Sequence, residues 1–330
     1  MLMTPAAAPA TPAQLHHLLE AGQAWSATYR GRMSNHLPMA QQALLDLGAS
    51  AERLQAFTEA EETHLEPRDP ARPSPVDVAR DLGRPDSDVA WRAHFAGRIT
   101  KLGSPAALRE ALPLLLPGAG AIAFHGLIRT GHAVLAGHDG ELAAGLAHWA
   151  SNAMALPTAD GAPLALADWL RALTSLPRPA YPAGSFISDR MQAAGGTAGF
   201  ASIAGRLQHG PGTLRDLALL AARTYAATGN FTVLHLLTAC HAMTVLQPAW
   251  PSPELPRGFS VAAAAGLLAS GAAPSYGLDE LPCRPWPVLI TAACEQDDAH
   301  VIKLTHAAWR LDRRWPDPAW RRAVQRAIPV

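Results

Sequence analysis

The chain has 330 residues, 49% hydrophobic and 16% charged, which is ample for a large core and too apolar for a disordered protein. Basic and acidic residues balance at 27 each, so the basic excess that a phosphate-binding surface needs is missing and a nucleic-acid partner is not expected. The three cysteines, Cys240, Cys283 and Cys294, form no CxxC pair, which excludes a disulfide framework and a zinc–thiolate site and fits a reducing, cytoplasmic setting.

In chain order, the opening MLMTPAAAPATPA has neither a basic segment nor an apolar core, so residues 1–12 read as a disordered tail rather than a signal peptide. Apolar residues then recur at three- and four-residue spacing, and alternating β-branched runs are nearly absent. The spacing predicts helices over about 12–28, 34–47, 50–61, 87–101, 119–136, 140–152, 163–174, 196–207, 213–227, 230–246, 259–270, 287–296, 298–315 and 318–327. Pro-rich pieces at 66–75, 177–184 and 248–258 read as connectors. The expectation is an all-α fold: one multi-helix globular domain over 13–330, with a metal site in its helical core. The apolar stretches around 112–124 and 261–273 are short and broken by Pro or Gly, so no membrane span is expected. Gly118–Ala123 matches the letters of a dinucleotide fingerprint. Pro113 and Pro117 spoil the strand that should precede it, and more helix follows.

Chemistry is suggested by two residue types. Arg outnumbers Lys 25 to two, the lysines being Lys101 and Lys303. A Lys kept in an apolar helix against that bias invites a role that needs deprotonation, which Arg cannot undergo. Of 14 histidines, His36, His125, His132, His235 and His300 lie in strongly apolar helical text. His16, His17, His64, His94, His138 and His209 sit in ordinary exposed or loop contexts. A buried imidazole must find partners, and four on separate helices can all be satisfied by one shared metal ion. His300 and Lys303 are three apart and share a helix face. A neutral Lys303 beside a metal can take up carbon dioxide and offer a carbamate oxygen; the alternative is a lysine that snorkels to solvent. Spacing alone favours snorkelling.

Four segments carry a family resemblance: NHLPMAQQALLDLGA at 35–49, FHGLIRTGHA at 124–133, NFTVLHLLTACHA at 230–242 and DDAHVIKLTHAA at 297–308. In these the chain resembles the questin oxidase family, whose members act on anthraquinones and related aromatic polyketides. The resemblance implies a helical oxygenase that uses dioxygen for ring opening of a polycyclic aromatic or quinone substrate. It implies non-haem Fe(II) held by His36, His125, His235, His300 and a carboxylated Lys303. The family is also associated with NADPH and Baeyer–Villiger-type chemistry. This chain has no nicotinamide or flavin motif, so NADPH is expected only as an external reductant and no bound flavin is expected.

Further candidates follow from spacing. Arg129, one turn after His125, is assigned to binding a phenolate or carboxylate, with reach to the surface as its alternative. His132, seven after His125, is assigned an acid/base or ligand-supporting role. His241 and His306 fall about 120° from the faces of His235 and His300, which argues against a shared ligand role. Asn35 is expected to orient its neighbour His36, and Trp309 and Phe124 to stack on substrate or pack in the core. The competing functions are a zinc hydrolase with a carbamylated lysine and a non-enzymatic helical binding protein.

Overall fold

The computed structural model describes residues 8–250, 252, 255–277 and 282–328. Among them are 17 α-helices and one two-stranded hairpin, Thr28–Tyr29 against Met33–Ser34. The helices are α1 Pro12–Ala21, α2 Leu37–Leu47, α3 Ala51–Glu62, α4 Val78–Asp81, α5 Asp88–Leu102, α6 Ser104–Leu115, α7 His125–Ala136, α8 Asp139–Ser151 and α9 Leu166–Thr174. They continue with α10 Ile187–Gly195, α11 Ala201–Ala204, α12 Thr213–Thr228, α13 Phe231–Leu246, α14 Arg257–Ser270, α15 Trp286–Cys294, α16 Ala299–Arg314 and α17 Pro318–Ala327. No helix among the described residues is long and apolar enough to cross a membrane.

Four helices organise the site. α2 packs on α7, α7 on α13, α13 on α16, and α16 back on α2, so they form a closed cycle. α13 sits deepest: nearly every side chain from Thr232 to Leu246 is buried, so it has no polar face. α7 lies close against α8 because glycines clear the way. A Cβ on Gly126 would lie 2.5 Å from Trp149 Cα, and one on Gly145 would lie 3.0 Å from the Thr130 nitrogen. The main core runs through α5 to α14 and on to α17, and a smaller core joins α1, α2 and α3 to Ala299 and Ile302 of α16.

Several expected boundaries move. The expected helix over 119–136 begins only at His125, because residues 119–124 form tight turns. The expected helix over 196–207 is instead α10 at 187–195 and the single turn α11. α6 was not expected at all. Pro105 sits in its first turn, where no hydrogen-bond donor is lost, and Pro113 falls in its last turn. Of the tail expected over 1–12, residues 1–7 lie outside the described residues. Ala10 donates its N–H to Ala49 O at 3.0 Å, Pro9 bridges to Ser50, and α1 already starts at Pro12, so the described part is anchored.

Candidate metal centre

Each helix of the central cycle delivers one histidine to the same place. His36 occupies the N-cap of α2, fixed by its neighbours. The Asn35 amide donates to Ser26 O at 3.1 Å and its oxygen accepts the Leu37 N–H at 3.0 Å. Asn35 therefore orients His36 through the backbone, not by touching the ring.

His125 opens α7 after three consecutive non-glycine residues in the left-handed region: Ile122, Ala123 and Phe124, with φ of 40°, 53° and 69°. Such conformations cost roughly 1–2 kcal/mol each and persist only where packing over-determines them. Phe124 supplies that packing, fully buried with its ring 6.2 Å from that of Phe259. The turn aims the Ile122 carbonyl at His125 Nδ1, which donates to it.

His235 follows the N-cap Asn230, whose side chain accepts from Thr232 and Val233, and its Nδ1 donates to Phe231 O at 2.8 Å. His300 follows the N-cap Asp298. That carboxylate accepts both the His300 backbone N–H at 2.8 Å and His300 Nδ1–H at 3.0 Å.

The four rings close a loop. Centroid separations are 4.8 Å for His36–His125, 4.9 Å for His125–His235, 5.3 Å for His235–His300 and 4.5 Å for His300–His36. Ring nitrogens of His36, His125 and His300 all lie within 4.8 Å of one another, and His36 Nε2 is 2.8 Å from His125 Nε2. Burial pushes all four imidazoles below their ordinary pKa, so they are neutral near pH 7. With Nδ1–H of His125, His235 and His300 committed to oxygen acceptors, each leaves Nε2 as a lone pair. This is how metal-binding histidines are normally held. Two ligand nitrogens about 2.0–2.1 Å from one ion at right angles would be about 2.9 Å apart, which the His36–His125 contact matches. The donor set therefore fits a first-row transition ion.

Lys303 is buried at 2% exposure, one turn along α16 from His300. Burial pushes its ammonium down to about 7, against the opposing pull of Asp298 and Glu61. It does not snorkel. Phe231, by contrast, is 48% exposed, and its ring edges onto His235 and His300 at 4.7 and 4.6 Å.

The other expected residues fall elsewhere. Arg129 neither meets the histidine ring nor reaches the surface. It is buried in a two-pronged pair with Glu141, Nε to Oε1 at 2.6 Å and Nη2 to Oε2 at 2.9 Å. Glu141 thus holds the charge expected to meet a substrate anion, while Nη1 is buried without a hydrogen-bond partner. His132 lies two turns below His125, against His306 and His241, with Nδ1 on Gln42 Oε1 at 2.6 Å. Phe124 is core, and Trp309 packs beside the smaller core under Arg313. His138 is not a solvated turn residue: its Nδ1 accepts the Glu141 N–H and caps α8.

Sequence reasoning missed Glu141, Phe231, the left-handed turn and the grouping of His241 and His306 with His132. A signal for that grouping was present, because three helices repeat a histidine after six or seven residues.

Residues 33–180 match the Questin oxidase-like family model. That match supports assignment to the questin oxidase family, and it spans His36 and His125 on two of the four site helices. No curated protein gives a significant match to the chain.

Proposed function

We propose that this questin oxidase-like chain is a non-haem iron-dependent oxygenase that opens or oxygenates a ring of a polycyclic aromatic or quinone substrate. The family match suggests an oxidoreductase acting on aromatic polyketides of the anthraquinone type. The observation that carries the finer reading is the loop of four buried, neutral imidazoles with Lys303 beside it. Ferrous iron, when bound, supplies the redox partner that makes dioxygen reactive toward a closed-shell ring.

The chain's own residues do the rest. His36, His125, His235 and His300 supply the nitrogen donors, and Asp298 with the Ile122 and Phe231 carbonyls holds three of them in one tautomer. Lys303 takes up carbon dioxide. Its Nζ lone pair forms an N–C bond, one C=O π pair moves onto oxygen, and a proton leaves the nitrogen. The carbamate places an anionic oxygen in an otherwise neutral donor set and lowers the cost of burying a divalent cation. Phe231 is the aromatic surface a flat substrate meets on the open side. A cleft of about 710 Å³ is lined in part by Ile122, whose carbonyl accepts from His125 Nδ1, and by His148.

The test is oxygen uptake by tag-free, iron-loaded protein over a panel of hydroxylated anthraquinones and related polycyclic phenols. The expected result is iron-dependent uptake and a product that gains oxygen from ¹⁸O₂. A stoichiometric bound flavin, or turnover indifferent to iron, would refute the reading.

A further inference from the structure

Below the first loop of histidines, the same helices carry a second group. His132, His241 and His306 lie seven, six and six residues after His125, His235 and His300, and α2 contributes Gln42 and Asp46. All three rings are buried, with centroids 5.4 Å (His132–His306), 5.2 Å (His241–His306) and 6.4 Å (His132–His241) apart. A residue 120° off the expected helix face still reaches this layer from α13, because α13 is buried all round and every direction leads to another helix.

The hydrogen bonds set the tautomers. His132 Nδ1–H donates to Gln42 Oε1 at 2.6 Å, leaving Nε2 as a lone pair. His306 Nε2–H donates to the Asp46 carboxylate at 3.0 Å, leaving Nδ1 as a lone pair that is fully buried and has no hydrogen-bond partner. A neutral His241 adds a third lone pair. Three imidazole acceptors thus share one apolar layer, with a carboxylate and an amide oxygen on their outer N–H groups. The same outer-partner pattern holds the first loop.

We propose that His132, His241 and His306 bind a second divalent transition ion, of the zinc-like kind that prefers imidazole. Three rings on one tetrahedral ion with metal–nitrogen distances of about 2.0–2.1 Å have centroids roughly 5–5.5 Å apart; the His132–His306 and His241–His306 separations fall there, and the 6.4 Å His132–His241 separation has to close by about 1 Å. The nitrogens are looser than in the first loop, where three lie within 4.8 Å. Among the described residues, hydrogen bonds fix the rings of His132 and His306 while His241 is held by ring contacts, so His241 is the ring that turns to close the site. Six or seven residues of helix separate the layers by about 9–10.5 Å, too far for a bridged pair at about 3.5–4 Å. The second ion is therefore a separate cross-link between α7, α13 and α16, and it does not rest on the iron reading.

The experiment is zinc binding to the metal-free full chain, counted by equilibrium dialysis and elemental analysis, with folding checked by circular dichroism. Two ions per wild-type chain are expected. His306→Ala and His241→Leu should each bind one fewer, while His300→Ala should lose the other ion and keep this one. Asp46→Asn, at a partly exposed position that does not threaten folding, should weaken the lower site about 10–100-fold. A single wild-type ion that only first-loop substitutions remove would overturn the proposal. So would lower-layer variants that keep both ions at unchanged affinity.

Discussion

Along α7, His125 and Arg129 are one turn apart and both buried, yet they are satisfied in opposite ways. Arg129 has its charge met by the chain itself, since Glu141 takes Nε and Nη2 with its two carboxylate oxygens and leaves only Nη1 without a partner. His125 is completed only on its outer side. Its Nδ1–H has the Ile122 carbonyl, while its Nε2 faces His36 and the other rings of the loop. A buried polar group that the chain closes is part of the scaffold. A group of imidazoles whose inner nitrogens meet chiefly one another is a place for something the chain does not contain.

That contrast can be broken by substitution. The largest effect belongs to the scaffold side. Glu141→Gln removes the carboxylate that meets the buried Arg129 guanidinium directly and leaves only the charge of Asp88 nearby, and urea unfolding should report a loss of about 3–5 kcal/mol. A loss under about 1 kcal/mol would mean that water already reaches the pair. On the site side, Lys303→Arg should be as damaging as Lys303→Ala, lowering oxygenase turnover by about 100-fold or more. Arg keeps the charge but cannot form a carbamate, so near-normal turnover in Lys303→Arg would remove the carbamate from the account.

The third prediction concerns acid. Burial holds His148 neutral, pushing its pKa down to about 3. Below its unfolded value near 6.5 the unfolded chain binds the proton and the folded chain does not, so stability falls as pH falls. His148 alone should cost about 2 kcal/mol at pH 5, with the loss growing between about 6.5 and 3. A pH series of unfolding curves on wild type and His148→Gln checks this, and the variant should show the shallower decline. The smallest effect is at the mouth. Phe231→Ala should raise KM for an aromatic substrate about tenfold, about 1.4 kcal/mol, with little change in kcat or iron content. Lost iron would make Phe231 part of the metal support instead.

The sequence carried much of this in a form that periodicity could read. Helix content, the four apolar histidine segments and the three-residue step from His300 to Lys303 all follow from local spacing. What spacing could not supply were partners far apart in the chain. Glu141 is 12 residues from Arg129, and Gln42 is 90 from His132, so their pairing depends on how helices pack. The left-handed run Ile122–Ala123–Phe124 was hidden because none of the three is a glycine or asparagine, the residues that usually mark such a turn. The 120° offsets kept His241 and His306 apart from the first loop but could not say where those rings go. A helical-wheel argument assumes one inward face, and α13 has none to distinguish.

The central claim is that four imidazoles from four helices hold one iron. It is tested most directly by the iron content of tag-free protein, wild type against His36→Ala, His125→Ala, His235→Ala and His300→Ala, with helical content followed by circular dichroism. The account predicts that each variant keeps its helices and loses about one iron per chain. Full iron retention in two or more of the four would contradict it.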